Sequence, residues 1–309
     1  MVNIVEKRTF VRSTTILVIG LFLMCSLIPI MLVFPVVDAN TNISDIRVGL
    51  YNSDAAQSAS VIALENMFDW MDCAIIWLDG EAVRNGTLDT IDLFVLPAGS
   101  SNGYILELEE TGIELIRQFV ANGGSFFTLC GGARFGSEVL RLYEGTWSTD
   151  IPGMPDGSAL VALTVNQASN GPDLSNEPES YQVYFSGSRC FIPNNPSLII
   201  PVMFYPTNGG VAMFVTRYGT GTVFASGVHA EYEEGSDRDG ITAFDFLNDP
   251  DSEWDILQKV TEWLIDVAGT PVNMNPFAGA GGIIIGLSVA SVIAISGIVL
   301  FLRRRRHIS

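Results

Sequence analysis

Basic residues are scarce in this chain of 309 residues: 16 Lys and Arg face 34 Asp and Glu, a formal net charge of −18. The shortage deepens in the middle. Residues 1–38 hold three bases and two acids and four arginines lie near the C-terminus, so nine bases and 32 acids remain between, a net of −23. A surface of that sign repels nucleic acid and anionic lipid headgroups, which excludes both as partners of this region. Its acids do not form a recognisable cation site either. Gly235-Ser-Asp-Arg-Asp-Gly240 and Asn248-Asp-Pro-Asp-Ser-Glu253 lack the regular ligand spacing of a calcium loop, and no metal or cofactor is expected. Cysteine is sparse as well: beside Cys25, only Cys73, Cys130 and Cys190 occur. A domain of this length buries a core without disulfide staples. Outside the cell, an odd number of thiols leaves at least one unpaired or paired with another chain, and a Cys73–Cys190 disulfide stays open. There are two histidines, of which only His229 lies in the middle region. Internal repeats and low-complexity segments are lacking.

Two long uncharged runs are present. Thr14 to Val37 follows Lys7, Arg8 and Arg12, the positive flank of an export signal, and Val37-Asp38-Ala39 has the small and apolar residues that a signal peptidase reads. Residues 1–39 therefore read as a signal peptide or, with Pro29 and Pro35 bending the run, as an uncleaved signal anchor. Ile283 to Leu302 is long enough to span a bilayer as a helix and ends in Arg303 to Arg306, the pattern of a stop-transfer anchor with a cytoplasmic tail at 303–309. Both basic flanks place the region between them outside the membrane, on the extracytoplasmic side. Asn42-Ile-Ser44 and Asn85-Gly-Thr87 are glycosylation sequons that acquire meaning in that setting. Gly282, Gly286, Ala290 and Ala294 recur every fourth residue, a small-residue stripe along which two anchors could form a homodimer.

Residues 45–268 read as one α/β domain, with 269–282 as a stalk. Ile46 to Tyr51 is a short apolar strand followed by a helical pattern with Val61, Leu64 and Phe68 on one face. Cys73 to Leu78, Leu93 to Leu96 and Ser125 to Cys130 are further short buried strands. A helix is expected from Thr111, with Glu114 as its capping-box partner, ending at Gly123-Gly124. Strands that alternate with helices imply a mostly parallel sheet covered on both faces. Five more strands are expected at Leu160 to Val165, Tyr181 to Phe185, Leu198 to Tyr205, Val211 to Arg217 and Thr222 to Val228. An amphipathic helix from Ser252 follows, with Ile256, Val260 and Trp263 inward.

One strand ends in a way that suits chemistry. Ser125-Phe-Phe-Thr-Leu129 runs straight into Cys130, then Gly131-Gly132-Ala133 and a helical stretch, which is the pattern of a nucleophile elbow. Small neighbours let the backbone turn sharply, and the first amides of the next helix point at the sulfur and favour thiolate. The Gly131 amide is then a candidate oxyanion donor. A structural cysteine closing a core strand is the plainer account of Cys130 taken alone. The balance changes with His229, which follows the strand Thr222 to Val228 and precedes Glu231 by two residues, so that in extended chain both side chains face one way. A carboxylate there holds the imidazole in one tautomer while its other nitrogen serves the thiol.

At these residues the chain resembles the class I glutamine amidotransferase-like superfamily, most closely the domain found at the N-terminus of some biotin-protein ligases. The resemblance runs from Arg47 to about Ala268. It rests on Pro97-Ala-Gly99, Ile116-Arg-Gln-Phe-Val-Ala-Asn-Gly-Gly-Ser-Phe-Phe-Thr-Leu-Cys-Gly-Gly132, Tyr184-Phe-Ser-Gly187 and Gly221-Thr-Val-Phe-Ala-Ser-Gly-Val-His-Ala-Glu231. It implies a flavodoxin-like sheet and a triad at Cys130, His229 and Glu231, with the loop around Ala98 and Gly99 as the second source of oxyanion amides. Ala98, Thr128 and Ala230 depart from the pattern, which usually has Gly, Gly and Pro there. Nothing in the sequence resembles a biotin-ligase catalytic domain, so biotinylation is not expected.

Two functions of different class follow: a cysteine hydrolase acting on an amide or similar acyl bond, or a non-catalytic domain that binds a small molecule or peptide in the same crevice. The paired basic flanks predict that protease added to intact cells removes the middle domain and leaves a small fragment carrying the arginine cluster. A fully protected domain would contradict that orientation.

Overall fold

Two faces of one sheet must be covered, because its central strands are apolar on both. In β1 (Arg47–Tyr51), Val48 and Leu50 enter one core while Tyr51 enters the other, with Gly49 pressed between Ile91 and Leu78 of that second side. A strand buried on both faces belongs in the middle of a parallel sheet. The structure is a computed structural model that describes residues 42–155, 157–187, 189–233, 238–247 and 249–270. The signal or anchor at 1–39, the span at 283–302 with its small-residue stripe, the arginine tail and nearly all of the stalk lie outside the described residues. Within them, no helix is long and apolar enough to cross a membrane.

β1 pairs in parallel with β2 (Ala74–Leu78) and β3 (Leu93–Leu96), β3 with β4 (Ser125–Leu129), and β4 with β11 (Gly221–Ser226). From β11 outward the pairing turns antiparallel, through β10 (Val211–Tyr218), β9 (Ile199–Phe204), β6 (Ser158–Val165) and β7 (Ser180–Ser186). Two further strands, β5 (Gly145–Ser148) and β8 (Cys190–Pro193), pair with each other, and β8 also joins β10. The expectation of a mainly parallel sheet thus holds for the half that carries the elbow. The other half is an antiparallel extension. Neither β5 nor β8 was expected from the sequence; each is only four residues long.

On one face α1 (Ser58–Trp70) lays Leu64, Met67 and Phe68 against the sheet beside Ile256, Leu257, Val260 and Leu264 of α5 (Trp254–Val267). The other face is covered by α2 (Gly80–Arg84), α3 (Ser101–Ala121) and α4 (Cys130–Glu138), through Val83, Tyr104, Leu108, Ile116, Val120 and Phe135. Edge-on Phe68 and tilted Phe224 bracket Phe127 of β4, with ring centroids 5.7 and 4.5 Å away, so the central strand is fixed from its neighbours.

Two expectations need correction, Glu114 as a capping-box partner and a last strand reaching Val228, and the open question of a Cys73–Cys190 disulfide is answered. The helix expected from Thr111 is the second segment of α3, which itself begins ten residues earlier at Ser101. Ser100 caps it by accepting from the Gly103 amide at 3.1 Å, and the break falls at Glu109, whose φ of 56° is left-handed. Arg84 accounts for the break: its guanidinium bonds the Glu107 carbonyl and lies 3.5 Å from the Glu109 carboxylate. Glu114 bonds Arg117 and Gln118 and caps nothing. The last strand stops at Ser226, two residues short of Val228. Finally, Cys73 and Cys190 are both free thiols. Cys73 precedes the edge strand β2, whereas Cys190 lies in β8 against β10, five strands along; at about 4.8 Å per strand that is roughly 24 Å, far beyond disulfide reach.

Candidate active site

Strand register brings the site together. Leu96 of β3 is level with Thr128 of β4, and Leu129 of β4 with Ser226 of β11. The segments that follow these three strands therefore leave the sheet at one height: Pro97 to Gly99, Cys130, and Gly227 to Glu231. Ligands in open α/β sheets bind at this carboxyl end.

Cys130 makes the sharp turn, with a φ of 48°, and is the first residue of α4. A non-glycine residue held there is strained, and such strain persists only where surroundings enforce it. The enforcement is visible in the two glycines. A Cβ at position 131 would fall 1.9 Å from the Gly99 carbonyl oxygen, and one at 132 would fall 2.3 Å from Thr128 Oγ1 and 2.7 Å from the Pro97 carbonyl. Thr128, at a position where the resembled pattern has glycine, spends its hydroxyl on the Leu96 carbonyl at 3.0 Å. The elbow is thereby packed directly onto the loop after β3.

His229 is held from both sides of its backbone and ring. Its amide donates to the Tyr184 carbonyl at 3.1 Å, and Tyr232 stacks on the imidazole at 5.2 Å with 9° between planes. Nδ1 lies 3.0 Å from Glu231 Oε1, which leaves Nε2 for the sulfur, and the imidazole and the Cys130 thiol shift each other's ionisation. Burial pushes the Cys130 thiol up, but the His229 hydrogen bond and charge, helped by the Gly131 amide, outweigh it and hold the thiol below its ordinary range. His229 moves the other way. Burial opposes its protonation, yet the Glu231 charge and the bonds to Cys130 and Glu231 raise it well above the usual imidazole value. Both shifts favour a thiolate beside an imidazolium. Cys73 behaves oppositely, pushed up to about 12 chiefly by burial.

Two residues outside the motifs complete the triad's support. Ser60 of α1 donates its hydroxyl to Glu231 Oε1 at 2.8 Å and accepts from the Ala98 amide at 3.1 Å, while Trp254 Nε1 donates to the Glu231 carbonyl at 3.0 Å. Ser60 is fully buried on the apolar face of its helix, and a polar residue at such a position was the signal available in the sequence. The first of these bonds also bears on Ala98. Its amide is committed to Ser60 and is not available as the oxyanion donor expected of Ala98. Ala98 does not have a positive φ, so alanine costs nothing at this position.

A crevice of about 410 Å³ opens at Cys130, lined among others by Gly99, Ser101, Gly131, Arg134 and Arg189. The two arginines were not singled out in the sequence.

Residues 73–155 match the family described as "Biotin-protein ligase, N terminal", a span that contains β4, the elbow and α4 but neither His229 nor Glu231. A biotin–protein ligase of Schizosaccharomyces pombe is 26% identical over 187 residues, covering 50% of this chain and 29% of that protein. The chain thus spans under a third of that relative. Among solved structures, a glutamine amidotransferase from Thermotoga maritima aligns with 17% identity over 72% of this chain and 96% of its own, TM-score 0.49. A ThuA-like protein from Bacteroides uniformis aligns with 13% identity over 68% and 95%, TM-score 0.45.

Replacing Ser60 with Ala leaves Glu231 Oε1 short of one donor and the Ala98 amide without an acceptor, both fully buried. The expected loss in unfolding free energy is about 1–3 kcal/mol by chemical denaturation. A loss indistinguishable from zero would show that Ser60 does not bear on the triad.

Proposed function

We propose that this chain, whose core segment is that of the biotin-protein ligase N-terminal domain within the glutamine amidotransferase-like superfamily, is a membrane-anchored extracytoplasmic cysteine hydrolase of an amide or similar acyl bond. The single observation that carries the reading is the Cys130–His229–Glu231 arrangement: a strained elbow thiol whose ionisation is coupled to an imidazole, Nδ1 of which lies 3.0 Å from a fully buried carboxylate.

Each residue has a task in such a reaction. The Cys130 thiolate attacks the acyl carbon, forming the C–S bond as the carbonyl electron pair moves onto oxygen, where the Gly131 and Gly99 amides receive it. His229 gives its Nε2 proton to the leaving nitrogen or oxygen as that bond breaks. A water then attacks the thioester while His229 takes its proton, the C–S bond breaks, and an acid leaves with the thiolate restored. Glu231 keeps its charge throughout and fixes the ring's tautomer. Because the chain covers only 29% of the ligase it resembles, ligation of biotin is not carried over to it. The anchor, the outward orientation and a homodimer through the small-residue stripe remain part of the proposal, supported by the apolar runs and their basic flanks.

One observation favours a rival, a domain that binds a ligand in this crevice without turning it over. With the Ala98 amide bound to Ser60, the oxyanion site has fewer donors to draw on. Alkylation of the full chain with iodoacetamide across pH decides between them. Under the hydrolase reading Cys130 is modified well below its unperturbed pKa of roughly 8.5, and His229→Ala moves that onset to higher pH, while Cys73 and Cys190 stay unmodified in the folded protein. A Cys130 profile that titrates normally, or one that His229→Ala leaves in place, favours the ligand-binding domain.

A further inference from the structure

The crevice at Cys130 is lined by two arginines in a protein that is otherwise strongly acidic. Six of the nine bases between the two apolar runs are bound to carboxylates: Arg47 to Asp92, Arg84 to Glu109, Arg117 to Glu114, Arg134 to Glu138, Arg238 to Glu233 and Lys259 to Glu177. Arg217 spends its guanidinium on Thr220 and Thr270. Arg189 and Arg141 remain, and among the described residues neither has a carboxylate partner. Arg141 is exposed and away from the elbow, whereas Arg189 lines the same crevice as Cys130. With 32 acids available in that region, an arginine left unpaired beside the nucleophile is a feature that stability does not explain.

The backbone around Arg189 is fixed to the site. Its amide donates to the Gly227 carbonyl at 3.3 Å, and a Cβ on Gly227 would fall 2.1 Å from the Arg189 carbonyl oxygen. Gly227 lies two residues before His229, so the arginine and the imidazole spring from segments in direct contact. Across the crevice, Arg134 sits one turn into α4 and gives Nε to Glu138 at 2.8 Å, which leaves its terminal nitrogens toward other acceptors. Glu138 is the one acid among the crevice residues, and Arg134 already balances it. The imidazole is the partner of Glu231, so among the described crevice residues Arg189 is the cation without a carboxylate partner.

We propose that this crevice selects substrates carrying a negatively charged group, a carboxylate, beside the acyl bond that Cys130 attacks, with Arg189 as the anchor and Arg134 as its lesser partner. A guanidinium presents two parallel N–H donors that match the two oxygens of a carboxylate. The Arg189 guanidinium also attracts an anion within the crevice, where a neutral competitor gains nothing. The proposal takes from the hydrolase reading the identity of Cys130 as the attacking atom, and its test has a separate readout.

Iodoacetate and iodoacetamide differ by one charge and alkylate the same sulfur. In the full chain, the ratio of iodoacetate to iodoacetamide rates at Cys130 should exceed that of N-acetylcysteine at the same pH and fall as salt is raised. Arg189→Gln should lower the ratio roughly three- to tenfold, the effect of removing one charge a few ångström from another in a part-solvated crevice. Arg134→Gln should lower it less, Arg141→Gln should leave it unchanged, and Arg189→Lys should retain most of it. The iodoacetamide rate itself should hardly move in any of these variants, which also shows that they fold. A ratio that Arg189→Gln leaves unchanged, or that matches N-acetylcysteine and ignores salt in the unsubstituted protein, overturns the proposal. A normal iodoacetamide pH profile together with an Arg189-dependent ratio would remove the hydrolysis and leave the anion site standing.

Discussion

Glu231 has no surface in water, and a buried carboxylate must be answered by a positive group and by hydrogen-bond donors. Most of the site follows from meeting that requirement. One oxygen takes bonds from His229 and Ser60; the other is buried without a hydrogen-bond partner among the described residues. The charge is therefore answered chiefly by the imidazole, whose protonated form it favours, and that form in turn favours thiolate at Cys130. Trp254 bonds the Glu231 backbone and thereby ties α5 to the same point. Remove the carboxylate and the reasons for a protonated ring, a low thiol pKa and a serine inside α1 disappear together.

The second constraint is the register of β3, β4 and β11. Side chains from residues 60, 130, 229 and 231 meet because three strands end level and the loop after β3 is pressed onto the elbow, where Gly131 and Gly132 leave no room for a Cβ. The same compression supports the strained φ at Cys130. The antiparallel half has its own contribution: Tyr184 of β7 accepts from the His229 amide, and Arg189 comes from the segment between β7 and β8. The part of the sheet that departs from the parallel pattern thus supplies the charge that distinguishes this crevice.

The elbow and the His-x-Glu pair were legible in the sequence because both are local: a strand, a small-residue turn and a two-residue spacing have one geometric meaning each. Ser60 was not, since its partner is 171 residues away and only a polar residue on an apolar helical face hinted at it. Ala98 was misassigned because its amide is taken by that same distant hydroxyl. The first half of α3 was hidden for another reason. Pro97 to Asn102 has the composition of a loop, and the cap at Ser100 and the break at Glu109 depend on Arg84 reaching across from α2. A Cys73–Cys190 bond stayed open because spacing along the chain says nothing about strand order. Arg189 looked like any loop arginine until the other bases were found to be occupied.

The central claim is that Cys130 rests as a thiolate paired with protonated His229. Ultraviolet absorbance of the thiolate, taken as the difference between the full chain and its Cys130→Ser variant across pH, reads that state without any reagent. The account predicts a thiolate signal that persists through neutral pH and disappears only well below the ordinary thiol range, and that shifts toward roughly 8.5 when His229 is replaced by Ala. A signal that first appears near that ordinary value in the unsubstituted protein would contradict it.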